Sequence, residues 1–402
     1  MAADHQCVIL VGGRGTRLGA LTKDRPKPLL PVGGKPFLST LIHEAVRHGF
    51  SNILLLAGFK ADIFSDELAA LRNGLPLSVN IDILTEPEPL GTGGALRFAA
   101  HHLRDHFLML NGDSFFDINL LDLTSRPFPD SAIGRLGLKP QADVSRYGTV
   151  QLDGERIGSF AEKKPGAGPG LINGGVYWFR KEILDHIGTG PCSLERDVLP
   201  TLAREGRLLG TVYDNYLLDI GLPETLAQAQ KEIPARLRRP AVFLDRDGVL
   251  NHDVGYAHRP EQITWVEGAM EAVKAWNDSG YYVFVVSNQA GVARGYYSEE
   301  DVRVLHRWMA TQLWHAGAHI DAFAYCPYHP EGVVPTYTKS SLHRKPSPGM
   351  ILDLIESWPI DIARSFLIGD NDSDIAAARA AGLPGYLFRG GNLAHFARTR
   401  SA

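Results

Sequence analysis

Two groups of residues suited to phosphate chemistry lie in different halves of the chain. Near the amino terminus, Gly12-Gly13-Arg14-Gly15-Thr16-Arg17-Leu18 precedes Pro26-Lys27-Pro28. Glycine has no Cβ and tolerates positive φ, so such a run lets backbone N–H groups close on a phosphate. Arg17 can clamp phosphate oxygens through two parallel hydrogen bonds, and Lys27, held between prolines, offers a point charge to a reacting phosphate. Past the middle, Asp245-Arg246-Asp247-Gly248 sets two carboxylates two residues apart. On an extended segment they point the same way, which suits one as nucleophile and the other as acid and base.

Further residues could complete these sites. Asn111-Gly112-Asp113-Ser114 and Leu218-Asp219-Ile220-Gly221 each offer an aspartate. Mg²⁺ is held by one or two carboxylates plus substrate phosphates, so Asp113 with Asp219 could position that ion; either one alone reads more readily as a turn cap. In the second half, Ser287-Asn288-Gln289 can hydrogen-bond a phosphate, Lys345 supplies positive charge, and Gly369-Asp370 can complete a magnesium site. Rival motifs fail on spacing. A Walker loop needs Gly-Lys-Ser/Thr, the glycines do not match a dinucleotide fingerprint, and a calcium loop starting at Asp245 would need a carboxylate where Tyr256 stands. His101-His102, His315 with His319, and Trp308 with Trp314 read as helix-surface or core residues.

These residues need strand ends to carry them. Short apolar runs at 8–11, 53–57, 79–84 and 107–110 alternate with helix-length stretches at 37–48, 61–73 and 95–102, the pattern of βαβ units. Residues 131–179 turn to strands and glycine-rich turns, which suggests an inserted sheet region covering a substrate. The charged, proline-bearing stretch from Lys231 to Pro240 reads as a linker, and the alternation restarts at 241–244, 269–278, 281–286, 299–315, 322–325, 350–358, 365–368 and 374–381. Both phosphate motifs then fall at the carboxyl ends of buried strands, where such sheets bind ligands. The expected division is 1–232, a linker at 233–240, and 241–402.

At 402 residues the chain is long enough for two cores. Its 41 Lys plus Arg against 45 Asp plus Glu leave a net charge of -4, so no global basic field holds nucleic acid or an anionic membrane. Three scattered cysteines, Cys7, Cys192 and Cys326, argue against a disulfide framework and fit a reducing compartment. No secretory signal or long apolar segment is seen, so a soluble, cytoplasmic protein is expected, with assembly of identical copies left open.

The run from Gly12 to Pro31, with Leu90-Gly91-Thr92-Gly93-Gly94, Asn111-Gly112-Asp113, Glu162-Lys163 and Asn173-Gly174-Gly175, resembles the sugar-1-phosphate nucleotidylyltransferases over about residues 6 to 230. The resemblance implies that Gly12, Gly13 and Gly94, with Gly15, Thr16 and Gly91, line the nucleotide. It also implies that Arg17 and Lys27 hold phosphates, Asp113 and Asp219 bind Mg²⁺, and Gly148, Glu162, Lys163 and Asn173 hold the sugar phosphate. The second set resembles the haloacid dehalogenase-like (HAD) phosphatases. There Asp245 would be the nucleophile, Asp247 the proton shuttle and a further metal-site residue, Ser287, Asn288 and Lys345 phosphate ligands, and Asp370 a Mg²⁺ ligand.

The longer strings from Phe243 to Asn251, Ser287 to Tyr297 and Arg344 to Met350 look like the heptose 1,7-bisphosphate 7-phosphatases, with histidinol phosphatases as near cousins. In that group the arginine before the lysine helps read the second phosphate, which marks Arg344 and, beside it, Arg294. The group's structural zinc site departs from pattern here: Cys326 is followed by Tyr328, and Ser341 and His343 stand at later cysteine positions. Zinc on the remaining Cys326, His329 and His343 is therefore not expected.

The resemblances imply an α/β chain of two tandem Rossmann-like three-layer α/β/α domains, a nucleotidyltransferase fold followed by a HAD-like fold. They jointly suggest a bifunctional enzyme that makes a nucleotide-activated heptose from GTP and heptose phosphates with Mg²⁺ in both domains. One alternative keeps both chemistries with mannose 1-phosphate or another hexose beside a histidinol-phosphatase-like unit. The other, a sugar-nucleotide sensor without turnover, would have lost its charged catalytic residues, and they are all present.

Overall fold

Continuous apolar strands of parallel sheets are buried on both faces, and the run Gln6–Leu10 behaves so in the computed structural model, which describes residues 5–76, 78–145, 148–161 and 168–399. It lies between Asn52–Ala57 and His106–Asn111, parallel to both, with Asn80–Thr85 parallel beyond the first. Gly170–Arg180 then runs antiparallel against His106–Asn111, and the sheet continues through Gly134–Gln141, Leu208–Val212, Arg156–Ala161 and Thr149–Asp153 to nine strands. The strands of the glycine-rich middle segment belong to this same sheet. They extend it because Val176 to Arg180 pair directly with His106 to Leu110. A two-stranded ribbon, Ser114–Phe116 against Leu217–Asp219, stands apart with Asp219 opposite Ser114.

Local chemistry sets the helices. Phe37–Arg47 buries Phe37, Leu38, Leu41, Ile42 and Ala45, a helical spacing. The stretch expected as one helix at 61–73 is two, Ala61–Asp66 and Leu68–Arg72, separated at Glu67. A helix reaches into the stretch expected as the linker. Helix Pro223–Leu237 runs on through Pro234, burying Leu226, Ala229 and Ile233. Pro234 lies near the carboxyl end, where one lost N–H matters least, and its ring packs on Gly33 while Gln230 accepts from the Gly33 N–H at 3.1 Å. The described chain divides into two compact units, one ending at Ala235 and the other starting at Arg236.

The second unit holds a five-stranded, all-parallel sheet in the order Ala322–Cys326, Tyr282–Asn288, Ala241–Leu244, Phe366–Gly369, Gly385–Leu387. Alternation of side chains along the strands makes three layers. Val242, Leu244, Val283 and Val285 join a core with Val273 and Trp276 of helix Ala269–Asp278 and Leu305 and Met309 of helix Glu299–His315. Ala241, Phe243, Phe284 and Val286 face the other way, onto Met350 and Leu354 of helix Gly349–Ser357 and Ala377 of helix Asp372–Ala380. No helix among the described residues is long and apolar enough to cross a membrane.

Candidate active sites

In the first unit, the ribbon brings Asp113 and Asp219 together. The Ile220 N–H donates to the Asp113 carbonyl at 2.9 Å, so each carboxylate sits at the same end of the ribbon. The buried Lys27 ammonium lies 2.7 Å from Asp113 Oδ2 and 3.4 Å from Asp219 Oδ1. Burial and the neighbouring Asp113 raise the Asp219 pKa, while Lys27 and the Gly221 N–H oppose the rise. A methyl group on Gly221 would come within 3.0 Å of Lys27 Nζ and 3.4 Å of Arg17 Nη2, so the arginine reaches the same spot. Four side chains expected from sequence to handle phosphate and metal, Arg17, Lys27, Asp113 and Asp219, converge here.

The nucleotide-loop glycines are a backbone surface. Gly15, at φ 62, opens the short helical stretch that begins at Thr16, and its carbonyl accepts from the Thr22 hydroxyl at 3.0 Å. Gly13 has open space around its Cα, and Gly12 lies close on Gly58 and Glu86. Helix Gly91–Phe98 starts at the second glycine run, earlier than the expected 95–102. The Cys192 carbonyl accepts from both Gly93 and Gly94 N–H groups, and at Gly91, φ 72, a side chain would collide with it. Asn173 donates to the Tyr177 hydroxyl at 2.8 Å and accepts from the Gly175 N–H at 3.0 Å, which fixes its amide. Gly148 is exposed just ahead of strand Thr149–Asp153. Glu162 and Lys163 lie outside the described residues. Glu86 was not anticipated; it accepts from the Leu90 N–H at 3.0 Å, and burial raises its pKa.

In the second unit, strand Ala241–Leu244 delivers Asp245 to its carboxyl end and strand Phe366–Gly369 delivers Asp370 beside it. One oxygen each of Asp245, Asp370 and Asp374 lies within 4.8 Å of the others. Gly248, at φ 83, packs against Asp370 where no side chain fits. The buried Lys345 ammonium reaches Asp245 Oδ1 at 2.8 Å, Asp374 Oδ1 at 2.6 Å and the Val286 carbonyl at 2.7 Å. Two carboxylates thus share one ammonium, and a third, Asp370, stands beside them. Burial pushes the Asp245 pKa up to about 7; Lys345 opposes and Asp374 adds to the rise. Burial and Asp374 raise Asp370 as well. Burial alone would lower Lys345, but Asp245 and Asp374 outweigh it. Such excess negative charge suits a divalent cation, and the oxygen-only donor set suits magnesium.

Asp374 was missed from sequence, and two expectations change. The Asp247 carboxylate lies outside the cluster. It is held by the buried Arg246 guanidinium at 2.8 Å, by the Asn251 amide at 3.0 Å and by Gln289 at 3.3 Å. Asn288 spends its side chain on the Lys345 backbone, donating to its carbonyl and accepting from its N–H, both at 3.0 Å. It positions the lysine. Ser287 is buried, and its hydroxyl accepts from Gln289 at 2.7 Å. Arg344 reaches the Tyr328 carbonyl at 3.5 Å; burial lowers its pKa, and Arg294 lowers it further.

The residues left from the zinc pattern have other partners. Cys326 is buried with its thiol toward the Tyr328 carbonyl at 3.9 Å. His329 Nδ1 accepts from the Glu331 N–H, and His343 pairs with Asp353 at 2.8 Å. Among the described residues, these three form no metal-binding group.

The two sites define a nucleotidyltransferase unit followed by a HAD-like hydrolase unit. The chain belongs to the nucleotidyl transferase family, which it matches over residues 6–236, and residues 342–399 match the HAD-hydrolase-like family. It is 52% identical over 161 residues to D-glycero-beta-D-manno-heptose-1,7-bisphosphate 7-phosphatase of Rhodopseudomonas palustris, covering 40% of this chain and 89% of that protein. It is 34% identical over 223 residues to D-glycero-alpha-D-manno-heptose 1-phosphate guanylyltransferase of Campylobacter jejuni, covering 54% of this chain and 96% of that protein. HddC of Yersinia pseudotuberculosis, solved in complex with GMP-PN, superposes with a TM-score of 0.50 at 32% identity, covering 57% of this chain and 99% of that one.

Proposed function

We propose that this chain is a bifunctional enzyme of nucleotide-activated heptose synthesis. It removes the 7-phosphate of a D-glycero-D-manno-heptose 1,7-bisphosphate and transfers GMP from GTP to the resulting heptose 1-phosphate. One observation carries the reading: each unit sets a buried lysine among carboxylates at strand ends, and the relatives of the two units act on consecutive compounds. The relatives' names differ in anomer, so coupling within this chain requires a phosphatase that accepts the α form.

In the second unit, an Asp245 oxygen attacks phosphorus and the bond to the sugar oxygen breaks, leaving an aspartyl phosphate. Asp247 gives its proton to the departing oxygen, then takes one from the water that attacks the same phosphorus, releasing phosphate and restoring Asp245. Lys345 offsets negative charge in this cluster. In the first unit, an oxygen of the sugar phosphate attacks the α-phosphorus of GTP in line and pyrophosphate leaves, with no protein nucleophile. Arg17 and Lys27 neutralise phosphate oxygens there. Bound Mg²⁺ would add charge stabilisation at both sites, held by Asp113 and Asp219 in the first and by Asp245, Asp370 and Asp374 in the second. The substrates are small, and the enzyme works in the cytoplasm.

The test uses the whole chain with Mg²⁺, each anomer of the bisphosphate, and GTP, following phosphate and pyrophosphate separately. Asp245→Asn stops phosphate release and spares pyrophosphate release from supplied heptose 1-phosphate; Asp113→Asn does the reverse. A folded variant silent in both assays contradicts independent sites. Mannose 1-phosphate, ATP, CTP and UTP as alternative substrates decide sugar and base.

A further inference from the structure

Asp247 lies in a cradle whose donors are almost all engaged. Arg246, fully buried, spends Nε and Nη2 on the Asp247 carboxylate and Nη2 again on the Ala257 carbonyl at 2.7 Å. Asn251 donates to one carboxylate oxygen at 3.0 Å, and Gln289 reaches the other at 3.3 Å while accepting from the Tyr297 hydroxyl at 2.8 Å. One donor is left over: Arg246 Nη1 is buried with no hydrogen-bond partner among the described residues. Buried N–H groups are rarely left so, because each forfeits the hydrogen bonds it had in water.

A second unpaired atom lies within the field of this arginine. His306 belongs to helix Glu299–His315, among the residues that bury Val302, Leu305 and Met309, and is 5% exposed. Its ring stacks on Phe323, centroids 4.6 Å apart, and meets Tyr325 edge to face at 5.7 Å. A phenylalanine would make those contacts with no polar cost, yet an imidazole stands here, its Nε2 buried and unpartnered among the described residues. Burial, and after it the charge on Arg246, push the His306 pKa down to about 3, so the ring is neutral and offers one nitrogen as an acceptor. Leu305 and Met309 share a core with Leu244, which lies two residues before Arg246. Donor and acceptor are complementary, and one internal water that takes a hydrogen bond from Arg246 Nη1 and gives one to His306 Nε2 satisfies both.

We propose that His306 is a positioning residue for Asp247: it anchors the outer nitrogen of Arg246 and so keeps the guanidinium square on the carboxyl group that protonates the leaving oxygen. This rests on the phosphatase reading of the Asp245 site. Asp247 gives its proton to the sugar oxygen as the bond to phosphorus breaks, a transfer that needs the carboxyl within hydrogen-bond reach of that oxygen. A guanidinium free to swing on its outer side lets Asp247 drift, and the acid step suffers first.

The experiment uses leaving groups that differ in their need for an acid, with the full chain and Mg²⁺. The readout is kcat/KM, which reports events up to departure of the leaving group. It is measured for heptose 1,7-bisphosphate, whose sugar alkoxide must be protonated, and for p-nitrophenyl phosphate, whose phenolate leaves without a proton. His306→Phe keeps the stack on Phe323 and removes the acceptor; it should lower kcat/KM for the bisphosphate about tenfold and leave p-nitrophenyl phosphate within about twofold of wild type. His306→Gln returns an acceptor and should regain most of the loss. His306→Leu, smaller and equally apolar, takes the place of His306→Phe should that variant fail to fold. A parallel fall on both substrates, an unchanged value for the bisphosphate, or a folded His306→Gln as poor as the apolar variants overturns the proposal. A wild-type chain that releases phosphate from neither substrate removes the phosphatase reading with it, whereas an active wild type matched by its apolar variants removes the role of His306 alone.

Discussion

Replacing Gly248 with alanine separates two effects that glycine serves at once. Its φ of 83 lies in the left-handed region, where a side chain costs about 1–2 kcal/mol. The new methyl carbon would also lie 2.5 Å from Asp370 Cγ, against 3.4 Å or more for ordinary contact. Asp370 must therefore retreat by about 1 Å, and a misplacement of that size at a reacting centre costs on the order of 100-fold in rate. Gly280→Ala is the matched control: its φ is 79, and nothing lies within 4 Å of the added carbon. Both variants should lose similar stability in thermal or denaturant unfolding. Only Gly248→Ala should lose phosphate release, by about 100-fold, and pyrophosphate release should persist. If Gly248→Ala kept a near-wild-type phosphatase rate, or Gly280→Ala fell as far, the crowding argument would be wrong.

The raised Asp245 pKa gives a pH prediction. Below about 7 this carboxyl holds a proton that a metal must displace, so half-saturating Mg²⁺ for phosphate release should rise about tenfold per pH unit and level off above neutrality. Equal half-saturation in Mg²⁺ titrations at about pH 6 and pH 8 would contradict it. Asn288→Ala should cost about 2 kcal/mol through two lost hydrogen bonds and lower the phosphatase kcat about tenfold by loosening Lys345, with KM little changed. Steady-state kinetics beside denaturant unfolding checks both numbers, and a change confined to KM would return Asn288 to the substrate.

Elements with local signals were legible. Strand Ala241–Leu244 and helices Ala269–Asp278 and Glu299–His315 lie where the apolar pattern places them, the last opened by a Ser298–Asp301 capping box. Asp113 with Asp219, and Asp245 with Asp370, were legible because strand ends of α/β units gather in space. Asp374 was hidden by ambiguity. It is the third residue of helix Asp372–Ala380 and completes a capping box with Asn371, so in sequence it reads as a helix cap. Asn288 misled for another reason: whether its amide meets a phosphate or the backbone of Lys345 depends on a segment 57 residues away. The same distance problem hid the continuity of the nine-stranded sheet, since apolar runs do not say which neighbour they pair with. Pro234 looked like a break because proline is a breaker on average, and Gly33 makes room for it here.

Lys27 gives the first site an internal counter-ion. A lone divalent cation approaching Asp113 and Asp219 would have to evict an ammonium from both, stranding it in a buried place. A cation that arrives already wrapped by a triphosphate brings fresh oxygens for the displaced lysine to grasp. The exchange would then be even, and joint entry of metal and nucleotide would be favoured over entry of the metal alone.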